Sequence, residues 1–211
     1  AIRACEDFAH AGYPDCEALL IVEVEGAEAE IDDQLGLIRQ IAERHAPVAY
    51  RESGSEDEAK RIWLGRKSAF GAMGQMGDYI CLDGTIPVSE LPRVLRRIGE
   101  LSEEYGLKVA NVFHAGDGNM HPLILFDANK PGDLETCEAL GAAILKLCVA
   151  VGGCLTGEHG VGVEKRDLMG VQFSDADMEA QMRVKDVFDP DWLLNPAKVF
   201  PLATSAGRRA A

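Results

Sequence analysis

The chain has 211 residues, 47% hydrophobic and 27% charged, enough apolar material for one substantial core and a second small lobe, which excludes disorder as the main state. Acidic residues outnumber basic ones by 35 to 21, a formal charge of −14 at pH 7 that repels nucleic-acid phosphates and anionic lipid headgroups and so disfavours both as partners. No apolar run approaches the roughly 20 residues that span a bilayer, and the N-terminus lacks a basic-then-apolar leader pattern, so the chain reads as soluble and intracellular.

Residues 18–25 run from apolar to alternating and end at Gly26, predicting a strand that leaves the core. Residues 27–45 place Ile31, Leu35, Ile38 and Ile41 at helical spacing. Pro47 ends that helix, and residues 48–51 predict a second strand, completing a β-α-β unit. Ser55, with Glu58 three residues on, predicts a helix opened by a reciprocal capping box and carrying Ile62, Trp63, Arg66 and Lys67. Gly71, Gly74 and Gly77 predict a loose stretch before a strand over 79–86 closed by Pro87. A helix from about Ser89 carries Leu91, Val94, Leu95, Ile98 and Leu101 on one face.

Strands over 107–113 and 122–126 flank Gly116-Asp117-Gly118-Asn119, whose turn formers predict a hairpin. A helix over 133–151 follows, with Asp133 as its cap and Cys137, Leu140, Ile144, Leu147 and Val151 as its apolar face; Gly152-Gly153 stops it. Beyond a glycine-punctuated loop lie one or two helices, the second opened by Ser174 with Asp177 behind it, then an extended tail from Asp189 and a frayed terminus over 205–211. This order, without internal repeats, predicts an α+β fold over residues 1–204, a mostly antiparallel sheet covered by helices in a ferredoxin-like arrangement. Six cysteines without a C-x-x-C pair read as reduced thiols, Cys137 and Cys148 in the core.

Three of the five histidines fall in two glycine-dense segments, His114-Ala-Gly-Asp-Gly-Asn-Met-His121 and Gly157-Glu158-His159-Gly160-Val161-Gly162. The first spans the hairpin turn, so His114 and His121 can lie side by side as a metal pair, with Glu158 completing a His-His-carboxylate face that keeps open positions. His159 is then free to act as a base. The alternative is that these histidines are structural donors in ordinary turns. Asp117-Gly118-Asn119 lacks the later bidentate Glu of a calcium loop, and neither G-x-G-x-x-G after a strand nor a P-loop occurs. Arg66 can clamp a carboxylate in a bidentate fork or pair with Glu56 or Asp57 on the surface.

Residues 114–121, residues 153–162 with Lys165, and Phe188-Asp-Pro-Asp-Trp-Leu-Leu-Asn195-Pro-Ala-Lys198 resemble, in order and spacing, the three signature stretches of the C-terminal domain of FAD-linked oxidases of the vanillyl-alcohol-oxidase type. Residues 111–127, residues 63–70 and Asp83-Gly-Thr-Ile-Pro87 are similar to the FAD-linked subunits of bacterial glycolate oxidases, with D-lactate and D-2-hydroxyglutarate dehydrogenases as alternatives.

The resemblance implies a flavoenzyme whose N-terminal domain, outside this chain, holds most of the FAD while this domain caps the ring. The chain, starting mid-pattern at Ala1, then reads as a fragment that is inactive alone. It also implies that His114, His121 and Glu158 bind a divalent metal such as Zn, Mn or Fe, that His159 is the base, that Arg66 meets the substrate carboxylate and that Asn195 lies near the flavin. The implied partners are a small 2-hydroxyacid, the N-terminal FAD domain, further oxidase subunits of flavin and iron–sulfur type, and a second copy in a homodimer. The implied location is cytoplasmic, with membrane association through partner subunits.

Ala197 stands where the resembling tails have glycine, Cys154 where serine is frequent, and Phe113 where many have glycine. The dicarboxylate-specific branch carries a lysine and an asparagine where this chain reads Ile80-Cys81 and Leu123, which implies a small monocarboxylate such as glycolate or D-lactate. The competing reading of a different class is a non-catalytic metal-binding or interaction domain, which requires a closed, fully liganded metal.

Overall fold

The computed structural model describes residues 1–205 and divides the chain into two compact units, Ala1–Met76 and Gly77–Ala211. The frayed terminus expected over 205–211 lies outside the described residues except for Ser205, which closes a short helix.

The first unit contains α1 (Ile2–Ala9), α2 (Glu28–Arg44), α3 (Glu56–Lys67) and α4 (Ala69–Gly74). Its small interior gathers Cys5 of α1 with Ala69, Ala72 and Met73 of α4. Tyr13 lies against Gly65 and donates its hydroxyl to the Ile62 carbonyl, tying the loop after α1 to α3. Ser55 caps α3 by accepting the Glu58 N–H at 3.2 Å, but the Glu58 carboxylate takes the Gly54 N–H instead of closing the expected box. The predicted glycine loop is helical, because Gly71 and Gly74 lie inside α4.

Residues 18–25 and 48–51 form no ladder, so the predicted N-terminal β-α-β unit is corrected to a lone helix between irregular segments. Alternation is a local signal, whereas a strand needs a paired neighbour for its N–H and C=O groups. Leu20 and Val48 accordingly stay 72% and 82% exposed, and α2 buries none of its residues.

The second unit holds β1 (Asp78–Cys81), β2 (Gly84–Thr85), α5 (Leu91–Tyr105), β3 (Val109–Asn111), β4 (Asn119–Met120), β5 (Pro122–Phe126), α6 (Asp133–Ala150), α7 (Met169–Gln172), α8 (Asp175–Phe188) and α9 (Leu202–Ser205). The single strand predicted over 79–86 is broken at Leu82 and Asp83. Before the break β1 pairs antiparallel with β5; after it β2 pairs with β4, giving sheets ordered β1-β5-β3 and β2-β4. The hairpin runs as expected, with Val109 opposite Ile124 and Asn111 opposite Pro122, and the same register continues to the His114–Asn119 bridge.

Helices α5 and α6 cover the three-stranded sheet. Val94 and Ile98 on α5, Leu140 and Ile144 on α6, and Ile124 on β5 are all essentially inaccessible. Each such side chain contributes about 1.5–3 kcal/mol of transfer free energy. Asp133 is not the N-cap of α6: Gly132 is, and the Asp133 carboxylate accepts from the Asp127 N–H and from Lys130 Nζ, bracing the preceding turn. The box at Ser174 and Asp177 forms reciprocally as read from the sequence. Burial pushes the Cys148 thiol up to about 12 and the Cys137 thiol up to about 11, as inert core cysteines require.

The architecture is α+β with small antiparallel sheets; the two sheets do not establish the ferredoxin-like arrangement. No helix among the described residues is long and apolar enough to cross a membrane. Gly153 is set by close approach: a Cβ there would sit 1.8 Å from the Thr85 carbonyl oxygen, in the Thr85–Cys154 bridge that joins β2 to the loop after α6. Gly153→Ala is expected to destabilise the protein by about 2–3 kcal/mol through overpacking. Gly99→Ala, in open space on α5, is expected to stabilise by about 0.5–1 kcal/mol. Urea unfolding of both variants checks the contrast.

Candidate active site

The chemistry-bearing residues of the second unit converge around the break between β1 and β2. His121 is placed by the β4–β5 run and is 2% exposed. Its Nδ1 lies 3.0 Å from the Leu82 carbonyl oxygen. A carbonyl only accepts, so Nδ1 carries the proton, and in the neutral ring Nε2 is left as a bare lone pair. That Nε2 faces Glu158 Oε1 at 3.0 Å. Two acceptors so close require a shared proton or a bound cation between them.

His159 Nε2 lies 3.7 Å from the same Glu158 oxygen, and its ring stacks on that of His121 with centroids 5.1 Å apart. His114 meets the other side of His121 edge to face, at 5.5 Å between centroids. The hairpin therefore brings His114 and His121 together. The potential ligand atoms that lie within 4.8 Å of one another belong to Asp83, His121, Glu158 and His159, with Cys81, His121 and His159 as an overlapping set. His114 stands at the edge of this cluster, and His159, read from the sequence as apart from the ligands, lies within it.

Asp83 is fully buried, and its oxygens are already taken. They accept from Thr156 Oγ1 at 2.6 Å, from the N–H groups of Gly157, Glu158 and His159 at 2.8–3.1 Å, and from Lys165 Nζ at 3.2 Å. Burial pushes the Asp83 carboxyl upward, but the Thr156 hydroxyl, the His159 and Glu158 N–H groups and the Lys165 charge outweigh it and hold the group well below the usual carboxylate range. Gly157 fits this position because it has no Cβ, which would sit 2.7 Å from Asn119 Oδ1.

The ligand atoms that remain available are those of His121, Glu158 and His159, with Cys81 Sγ beside them. Their potential ligand atoms lie within 4.8 Å of one another, close enough to share one divalent ion after small side-chain shifts, and the Leu82 carbonyl on His121 Nδ1 is the kind of outer partner that fixes a metal-binding imidazole. Glu158 and His159 side chains are 55% and 46% exposed, so the cluster is open on one side. A cleft of about 350 Å³ continues from it, lined by His159, Lys165 and Lys198 with the glycine-rich 160–164 segment. That volume admits a small acid or the edge of a ring system, not a whole dinucleotide.

Arg66 lies on α3 in the first unit and makes no ion pair with Glu56 or Asp57 among the described residues; Glu56 pairs with Lys60. Asn195 is exposed in the tail at φ +46°. That tail, expected to be extended, is instead folded back by Trp192 and Phe200 against Met182. Asp83 and Lys165 stand in the signature stretches with no role legible from the sequence. The signal was a lone acid inside an otherwise apolar strand pattern.

The family described as FAD linked oxidases, C-terminal domain, matches residues 1–199. The chain is 51% identical over 203 residues to the glycolate oxidase subunit GlcD of Escherichia coli K12, covering 95% of this chain and 41% of that protein. It is 30% identical over 197 residues to GlcD of Bacillus subtilis, covering 92% and 42%, and 28% identical over 185 residues to the mitochondrial D-lactate dehydrogenase [cytochrome] of Arabidopsis thaliana, covering 86% and 33%. The chain thus spans about two fifths or less of the length of these relatives.

The lowered Asp83 carboxyl sets a pH dependence. Its contribution to stability is fully present well above the unfolded pKa of about 3.9 and is lost progressively as pH falls from there to the lower folded value. The stability difference between wild type and Asp83→Asn is therefore expected to be constant above about pH 5 and to shrink below about pH 4. Urea titrations across that range measure it.

Proposed function

We propose, for a chain that belongs to the family of FAD linked oxidase C-terminal domains, that it forms the substrate side of a flavin-dependent 2-hydroxyacid oxidoreductase, oxidising glycolate to glyoxylate, with D-lactate as the alternative substrate. The observation that carries this reading is the His121 Nε2 to Glu158 Oε1 approach at 3.0 Å, a pair of acceptors asking for a cation, beside a half-exposed His159.

In this reading His121 and Glu158 would hold a divalent ion, with His114 closing on it from the edge of the cluster and the stacked His159 Nε2 as base. A closed structural metal site would bury its ligands; Glu158 and His159 are about half exposed and His159 lines the cleft, which supports catalysis over a purely structural role. The chemistry that bound FAD supplies is two-electron acceptance from the carbinol carbon, and that of the ion is acidification of the substrate hydroxyl. His159 Nε2 takes the hydroxyl proton, and its stacking on the anchored His121 ring fixes the direction from which it does so. Arg66 fixes the substrate carboxylate in a bidentate fork, and Asn195 faces the flavin from the tail; both assignments rest on the resemblance of their sequence stretches.

FAD is held mainly by a domain N-terminal to this one. Further oxidase subunits are the proposed partners, supported by the relatives' being oxidase subunits; that these partners are of flavin and iron–sulfur type rests on the sequence resemblance. The proposed place of action is cytoplasmic, with any membrane attachment made through those subunits.

The test is made on the complete flavoprotein by stopped-flow reduction with saturating glycolate. His159→Ala is expected to slow flavin reduction by about 10²-fold or more with FAD content intact. Arg66→Ala is expected to act mainly by raising KM, because the carboxylate contact exists in ground and transition states alike. Reduction of the His159→Ala flavin at the wild-type rate would remove His159 as the base.

A further inference from the structure

We propose that Asp83 is the positioning residue of this site: through the backbone N–H groups of Glu158 and His159 its carboxylate sets where those two side chains stand relative to His121. The proposal rests on the metal reading given above and deepens it.

The dipeptide Leu82-Asp83 holds every member of the central cluster. The Leu82 carbonyl accepts the His121 Nδ1 proton at 3.0 Å. The Asp83 carboxylate accepts from the N–H groups of Glu158 and His159, and its main-chain carbonyl accepts the Gly157 N–H at 2.8 Å. Thr156, which donates to the same carboxylate, also accepts the Gly160 N–H at 2.8 Å, so the loop is held on both sides of its two functional residues. Consecutive N–H groups converging on one anion form a nest, ordinarily an anion-binding device. Here the anion is internal, and it fixes the backbone from which Glu158 and His159 project.

Charge and geometry are carried by different partners. Lys165, 4% exposed, balances the carboxylate but touches none of the N–H groups. Removing it challenges the stability of the buried anion and leaves the nest intact. Replacing Asp83 by Asn leaves one acceptor oxygen and turns an NH₂ towards converging donors, which loosens the loop directly. A residue that only supports the fold would not separate these two changes.

The experiment uses Co²⁺ as probe, followed by its visible absorption in the 211-residue chain, with amide hydrogen exchange as a metal-independent readout. Wild type is expected to bind Co²⁺. Asp83→Asn, measured well below its Tm, is expected to bind about 10- to 100-fold more weakly, the usual cost of losing an outer-sphere partner, and to exchange the Glu158 and His159 amides faster. Lys165→Met is expected to lower Tm while keeping near-wild-type Co²⁺ affinity. If Asp83→Asn does not fold, Asp83→Glu keeps the charge and displaces the nest by one methylene, with the same weakening expected.

Wild-type affinity in a folded Asp83→Asn or Asp83→Glu overturns the proposal. So does equal weakening in Lys165→Met, which would reduce the effect to stability. Failure of the wild type itself to bind Co²⁺ overturns the metal reading instead. Positioning is then decided by exchange alone: faster exchange confined to residues 157–159 in the Asp83 variant supports it, and unchanged protection overturns it.

Discussion

A carboxylate taken wholly out of water at the junction of two sheets survives as an anion only if donors replace its hydration shell. Asp83 meets that condition with a hydroxyl, three consecutive backbone N–H groups and an ammonium. The loop gains in turn: the N–H groups of Gly157, Glu158 and His159 belong to no strand or helix, and Asp83 supplies their acceptor. Strand break and loop therefore stabilise one another, and neither keeps its conformation without the other.

The hairpin supplies the rest through register. Val112 N–H donates to the His121 carbonyl, and His114 N–H to the Asn119 carbonyl, so the hairpin register carries on past β3 to the His114–Asn119 bridge. With side chains alternating along each strand, 112 and 114 share a face with 121 and 119 across the ladder, which puts His114 and His121 on one diagonal. Their edge-to-face contact is a consequence of that pairing. A one-residue slip would send the two rings to opposite faces and unhook His121 from Leu82.

What could be read from the sequence follows the range of each interaction. The α5 and α6 faces, the Ser174 box and the hairpin are encoded within a few residues, and they appear as read, apart from the Asp133 cap. The segments 18–25 and 48–51 carry strand patterns but depend on a distant ladder partner that the pattern does not name. The strand over 79–86 was legible as apolar, but its division at Leu82 and Asp83 is dictated by Thr156 and Lys165, more than 70 residues away in sequence. In the site, the histidines and Glu158 stood out because their residue types carry chemistry. Asp83 did not, since its role is exercised through backbone atoms that have no sequence signature.

The tail shows the same logic. Ala197 adopts φ +65°, and the β-branched Val199 adopts φ +70°, a region that costs an L-residue roughly 1–2 kcal/mol. Both are held by bonds to the site loop: Arg166 donates to the Ala197 carbonyl at 2.6 Å, and the Val199 N–H donates to the Gly162 carbonyl at 2.8 Å. Burial of Trp192 and Phe200 against Met182 anchors the segment on either side. The segment 156–166 is thus fastened at its start by Asp83 and at its end by the tail. The cleft lined by His159 and Lys198 lies between these two fastenings, so the backbone on both of its sides is held by hydrogen bonds made outside it.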